Sequence, residues 1–92
     1  MIKSFAHKGL ETFFTTGSKK GIQPQHAKKL DLILRALHTA KKAGDMDFPG
    51  FAFKPLKNWG ENLYSVRVDG NYRVTFDFIG TDAERVNYED YH

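Results

Sequence analysis

The run at residues 63–78, LYSVRVDGNYRVTFDF, alternates apolar and polar side chains on both sides of Asp69-Gly70-Asn71. No other stretch restricts the fold as much. A period of two belongs to a half-buried strand. A Gly-containing break between two such runs belongs to a hairpin. Tyr64, Val66 and Val68 share one face, and Tyr72, Val74, Phe76 and Phe78 share one face of the following strand. Opposed residues of an antiparallel pair point to the same side. A two-residue Asp69-Gly70 loop would pair Val68 with Asn71 and Arg67 with Tyr72, mixing the faces. A three-residue Asp69-Gly70-Asn71 loop pairs Val68 with Tyr72, Val66 with Val74 and Tyr64 with Phe76. It also puts Asn71 where a left-handed conformation is common.

This register sets Arg67 opposite Arg73 on the face away from the core, with Ser65 and Thr75 as the next pair. Like charges directly opposed destabilise a sheet. One reading is a phosphate site, because guanidinium forks match phosphate oxygens. The other is a solvated face whose arginines are neutralised by Asp77 or Glu89.

Helical patterns precede the hairpin. IKSF reads as a short strand. In HKGLETFFTTG, Leu10, Phe13 and Phe14 fall on one helical face and Gly17 is a stop signal. Pro24 suits a first helical turn. Ala27, Leu30, Leu34 and Leu37 then form one apolar stripe. That helix is expected to run to Gly44, with Lys41 and Lys42 in its last turn. A short strand is expected near Phe53, and ERVNYEDY reads as a further strand. Trp59 could stack on a base, but a buried aromatic is the expected role. The order predicts one α+β domain over residues 1–92. An N-terminal strand and two helices would pack on a small twisted antiparallel sheet.

Cysteine is absent, so disulfides and thiolate metal sites are excluded and a reducing compartment is expected. MIKSFAHKGL does not read as a secretory signal. No stretch approaches the roughly 20 apolar residues of a membrane helix. A cytoplasmic location follows as the expectation. Charge is divided unevenly. Residues 1–57 carry 11 Lys or Arg against 4 acids, and residues 58–92 carry 3 against 7. A basic half points to a polyanion such as nucleic acid. Lys28 and Lys29, on the polar face of the long helix, and Lys54 and Lys57, beside Pro55, are its candidate contacts. No spacing of His, Asp or Glu suits a metal, and His7, His26 and His38 receive no catalytic role.

The chain ends VNYEDYH. An unperturbed imidazole titrates near pH ~6.5, and carboxylates close to His92 favour its charged form. That suits a general acid. Tyr91 can stack on a base or bind a phosphate.

MIKSFAHKGLETFFTTG, PLK…G…YSVRVDGNYRVTF and the terminal VNYEDYH together resemble HigB-type toxins, the plasmid-maintenance killer proteins of the RelE superfamily. The likeness covers the chain end to end. It implies a RelE-like fold and an mRNA interferase that cuts mRNA in the ribosomal decoding site without a metal or other cofactor. It also implies a helix-turn-helix (HigA-like) antitoxin partner, with operator DNA bound only through that complex. The family's functional positions map to Lys57, Arg67, Arg73, Asp90, Tyr91 and His92. Asp90 would orient His92. The chain departs from the pattern at Lys54, where some members have His. Either Lys54 only binds phosphate or its surroundings let it act as a base. A non-catalytic RNA- or ribosome-binding module is the alternative function. A third is a subunit that helps an antitoxin bind operator DNA.

Overall fold

The computed structural model describes residues 1–90. The elements are α1 (Lys8–Thr16), α2 (Ala27–Thr39), β1 (Lys54–Pro55), β2 (Leu63–Arg67), β3 (Tyr72–Ile79) and β4 (Asp82–Asp90). The strands form one antiparallel sheet in the order β1-β2-β3-β4. The expected α+β arrangement is present. Leu10 and Phe13 of α1, and Leu30, Ile33, Leu34 and Leu37 of α2, pack against Val66, Val74, Phe76 and Val86 of the sheet. One face of the sheet is thereby covered, as its two-residue period requires.

The hairpin adopts the three-residue loop. Tyr64 faces Phe76, Ser65 faces Thr75, Val66 faces Val74 and Arg67 faces Arg73. Val68 N–H donates to the Tyr72 carbonyl at 2.9 Å. Asn71 does not take the left-handed conformation. Among the described non-glycine residues, positive φ occurs only at Ala52 and Arg85. The Asp69 carboxylate closes the loop instead, accepting the Asn71 and Tyr72 N–H groups at 2.8 and 2.9 Å. A short Asp side chain that captures following amides makes a turn without left-handed backbone.

The N-terminal segment runs parallel to β4 but touches it in two separate bridges, Ile2 to Ala83 and Phe5 to Val86. The interruption has a cause. Thr75 pairs with Asn87, whereas Asp77 pairs with Glu84, so β4 carries one extra residue there. Arg85 occupies the bulge with φ 50°, and its N–H turns to the Ser4 hydroxyl at 2.9 Å. Such a bulge shifts the alternation by one. Ala83, Val86 and Tyr88 can therefore all be buried.

The long helix ends earlier than expected. Its last residue is Thr39, and Ala40 is extended with ψ 140°. Lys41 and Lys42 lie beyond it, and Asp45 Oδ2 accepts their N–H groups at 2.9 and 3.3 Å. Gly44 sits in the following short turn, Ala43–Met46. By contrast, α1 stops where predicted, at a left-handed Gly17 with φ 81°.

The three described histidines serve the fold. His7 Nδ1 accepts the Leu10 N–H at the start of α1 at 3.0 Å. His38 Nδ1 accepts the Ile2 N–H at 3.2 Å. His26 is 4% exposed and lies between Tyr88 and Asp69. Its Nδ1 is 2.5 Å from the Tyr88 hydroxyl and its Nε2 is 2.5 Å from Asp69 Oδ2. This chain ties the start of α2 to β4 and to the hairpin loop. The Asn71 amide, then His26, then the Tyr72 amide hold the Asp69 pKa down to about 2 from 3.8.

A depressed carboxylate pKa stabilises the fold above the unfolded value. That stabilisation is lost as pH falls through the interval from 3.8 to about 2. Asp69→Asn is therefore expected to melt at a lower temperature than the wild type at pH 7, with the gap narrowing across that interval. Melting curves by circular dichroism test this, and a gap that does not narrow contradicts it.

Candidate functional site

Residues that alternate with those of the apolar core fill the face of the sheet opposite the helices. The register arranges them in rows. Lys54 of β1, Ser65 of β2, Thr75 of β3 and Asn87 of β4 form one row. Arg67, Arg73 and Glu89 form the next. The predicted pairing of two arginines is thus present, and the sheet brings Lys54 onto the same face. Ser65 is fully buried, and Arg73 donates to its hydroxyl at 3.2 Å. Arg67 is exposed, and its Nε donates to the Asp69 carbonyl at 3.3 Å.

Of the two acids expected to neutralise the arginines, Asp77 is engaged by another cation and Glu89 faces Arg73. Asp77, nearly buried, is held by Arg85 at 2.8 Å. That contact raises the Arg85 pKa. The arginine that engages Asp77 comes from the bulge, which the alternation pattern does not reveal. Glu89 lies opposite Arg73 and accepts from the Thr75 hydroxyl at 3.0 Å. Its carboxylate flanks Arg73 on the β4 side. The cationic side of the face is therefore the β1–β2 side, with Lys54, Lys57 and Arg67.

The turn at residues 56–60 stands over this face. Leu56, Trp59 and Leu63 share a groove of about 270 Å³ with Thr75, Glu89 and Asp90. A neighbouring hollow of about 510 Å³ is lined by Lys54, Lys57, Asn58 and Trp59. Trp59, expected to be buried, is 79% exposed. Its indole is a prominent part of this surface that the sequence pattern does not reveal. Asp90, the last described residue, borders the groove. The two terminal residues, Tyr91, expected to stack on a base or bind a phosphate, and His92, expected to act as general acid, lie outside the described residues.

Lys28 and Lys29 are not brought into this group. They lie on α2, whose apolar stripe packs on the opposite face of the sheet. Lys28 is exposed. Lys29 donates to the Gly50 carbonyl at 3.2 Å and lies 5.3 Å above the Phe51 ring. Its charge therefore also helps to seat the loop after α2.

Guanidinium and ammonium groups on one side of a partly enclosed groove suit an anionic ester. Thr75 adds a hydroxyl beside them. Groups fixed in advance can stabilise charge that develops on a phosphorus centre. Among the described residues, no cluster of three His, Asp or Glu side chains is arranged to hold a metal ion. No described helix is long and apolar enough to cross a membrane.

Residues 3–92 match the family described as the RelE-like toxin of the type II toxin-antitoxin system HigB. The chain is 41% identical over 92 residues to the endoribonuclease HigB of Proteus vulgaris, covering 100% of both chains.

Opposed like charges should make the arginine pair a cost to folding. Arg67→Gln is expected to leave the stability unchanged or raise it by up to about 1 kcal/mol. Urea unfolding of the two proteins measures this. A clear loss of stability would show that Arg67 serves the fold instead.

Proposed function

The chain belongs to the HigB-like family of RelE-like toxins of type II toxin-antitoxin systems, and we propose that it is an endoribonuclease acting on mRNA in the ribosomal decoding site. The observation that carries this reading is the row of Arg67 and Arg73 beside Lys54. A binder of protein alone has no need to oppose two arginines across a strand pair.

RNA supplies its own nucleophile, the 2′-hydroxyl. Cleavage then needs that oxygen aligned, the charge on the pentacoordinate phosphorus offset and the leaving 5′-oxygen protonated. Arg67 and Arg73 offset the charge, with Lys57 assisting. The Ser65 contact limits the freedom of the Arg73 side chain, so less order is lost when a phosphate binds. Lys54 holds a non-bridging phosphate oxygen. His92 protonates the leaving oxygen. Tyr91 orients the scissile phosphate or stacks on the adjoining base, and Asp90 orients His92. These steps use no metal. The proton acceptor for the 2′-hydroxyl is a separate question, because Lys54 stands where some relatives have His.

A type II toxin has an antitoxin partner. The partner proposed here is a HigA-like helix-turn-helix protein that neutralises the toxin and carries it to operator DNA. The ribosome with its mRNA is the other partner, which places the activity in the cytoplasm.

Purified protein added to a translation reaction is expected to produce new mRNA 5′ ends, mapped by primer extension, that are absent when ribosomes are omitted. Arg73→Ala is expected to slow their appearance by about 10²–10³, and His92→Ala by a comparable factor. Wild-type cutting by both variants would contradict the assigned roles. Ribosome binding without any cutting would make the protein a non-catalytic module.

A further inference from the structure

Trp59 is the largest exposed apolar side chain among the described residues, at 79% exposure. Solvating an indole to this extent loses much of what its burial would contribute to stability. The side chain is nevertheless carried on a well-braced turn. Leu56 N–H donates to the Leu63 carbonyl at 2.8 Å. Trp59 and Gly60 N–H both donate back to the Leu56 carbonyl, at 2.9 and 3.2 Å. The Asn62 carbonyl accepts from Phe78 at 2.9 Å, which fastens the end of the loop to β3. The indole is therefore presented from a fixed backbone.

Its position adds meaning to its exposure. Trp59 lines both hollows of the site, as Leu56 does. On one side stand Lys54 and Lys57. On the other are the apolar wall of Leu63 and, at the sheet, Thr75. Cations that follow a backbone, interleaved with an aromatic face, form the pattern that binds single-stranded nucleic acid. A protein partner would also cover an exposed indole, but it would not need two lysines on one flank and the arginine pair on the adjoining sheet face.

We infer that Trp59 is a stacking platform for an unpaired base of the RNA strand, next to the phosphate held by Lys54, Lys57 and the arginine pair. This rests on the ribonuclease reading and extends it. Stacking on a fixed indole would hold the strand splayed, with the adjoining phosphate over the sheet. It would act on binding and alignment without proton transfer. Because every base has a π face, the platform would favour unpaired bases over duplex rather than one base over another.

Trp59 is the sole tryptophan, so intrinsic fluorescence reports on it alone. Titration with a mixed-sequence 2′-O-methyl oligoribonucleotide, which cannot be cut by 2′-hydroxyl attack, is expected to quench the emission. In ribosome-programmed cleavage, Trp59→Ala is expected to raise the half-maximal toxin concentration by about 10-fold or more. The rate at saturation should change little, and Trp59→Phe should restore most of the loss. The exposure of Trp59 makes both variants compatible with folding, which circular dichroism checks. An unchanged half-maximal concentration in Trp59→Ala, or emission that the oligomer does not move, overturns the inference and leaves the ribonuclease reading standing. Quenching by the oligomer from a wild type that never cuts mRNA supports the platform and overturns the ribonuclease. Quenching by the purified antitoxin but not by the oligomer overturns the inference and assigns the indole to a protein contact.

Discussion

The Asp69 carboxylate accepts two loop amides and meets His26, and the hairpin register is held there. A slip of one residue would turn every side chain of β2 to the opposite face. Ser65 and Arg67 would enter the core, and Val66 would meet water. The His26 link joins that loop to α2 and Tyr88. The helix that covers the core face and the hairpin that forms the opposite face are thus set relative to each other. Chemistry on the outer face depends on a contact made at its end.

Given that register, the charges follow from geometry. Alternation places Arg67, Arg73 and Lys54 together. The bulge at Arg85 then removes Asp77 from the arginine pair by giving it another cation. Thr75 engages Glu89. Lys54, Lys57 and Arg67 lie on the side of the face toward β1 and the turn carrying Trp59. Groups that repel one another in the empty protein gain when a polyanion arrives, so the same repulsion favours binding.

Much of this was legible before the structure, for identifiable reasons. The hairpin register follows from two-residue alternation, because only one loop length keeps Tyr64, Val66 and Val68 opposite apolar partners. Gly17 was readable as a helix stop because a left-handed cap favours glycine. Gly44 gave the same signal and was wrong, because Asp45 takes the Lys41 and Lys42 amides and the helix ends without a left-handed residue. Arg85 left no trace in the pattern, since a non-glycine bulge has no composition cue. Burial is the expectation that Trp59 overturns, because an isolated aromatic in an irregular stretch has no period to orient it. Lys28 and Lys29 share the basic half of the chain with Lys54, but α2 carries them on the other side of the sheet. The proton chemistry rests on His92 and the phosphate orientation on Tyr91, which both lie outside the described residues. Their roles stand on the resemblance and on their sequence position beside Asp90.

The central chemical claim is that the cationic face stabilises attack by the RNA's own 2′-hydroxyl. The chemistry of the cut ends tests it most directly. Fragments made by the purified protein on programmed ribosomes would be end-mapped with and without prior phosphatase and kinase treatment. Attack by the 2′-hydroxyl predicts a 2′,3′-cyclic phosphate on the upstream fragment and a free 5′-hydroxyl on the downstream one. A downstream 5′-phosphate with an upstream 3′-hydroxyl would contradict it, because those ends require water or hydroxide as the nucleophile.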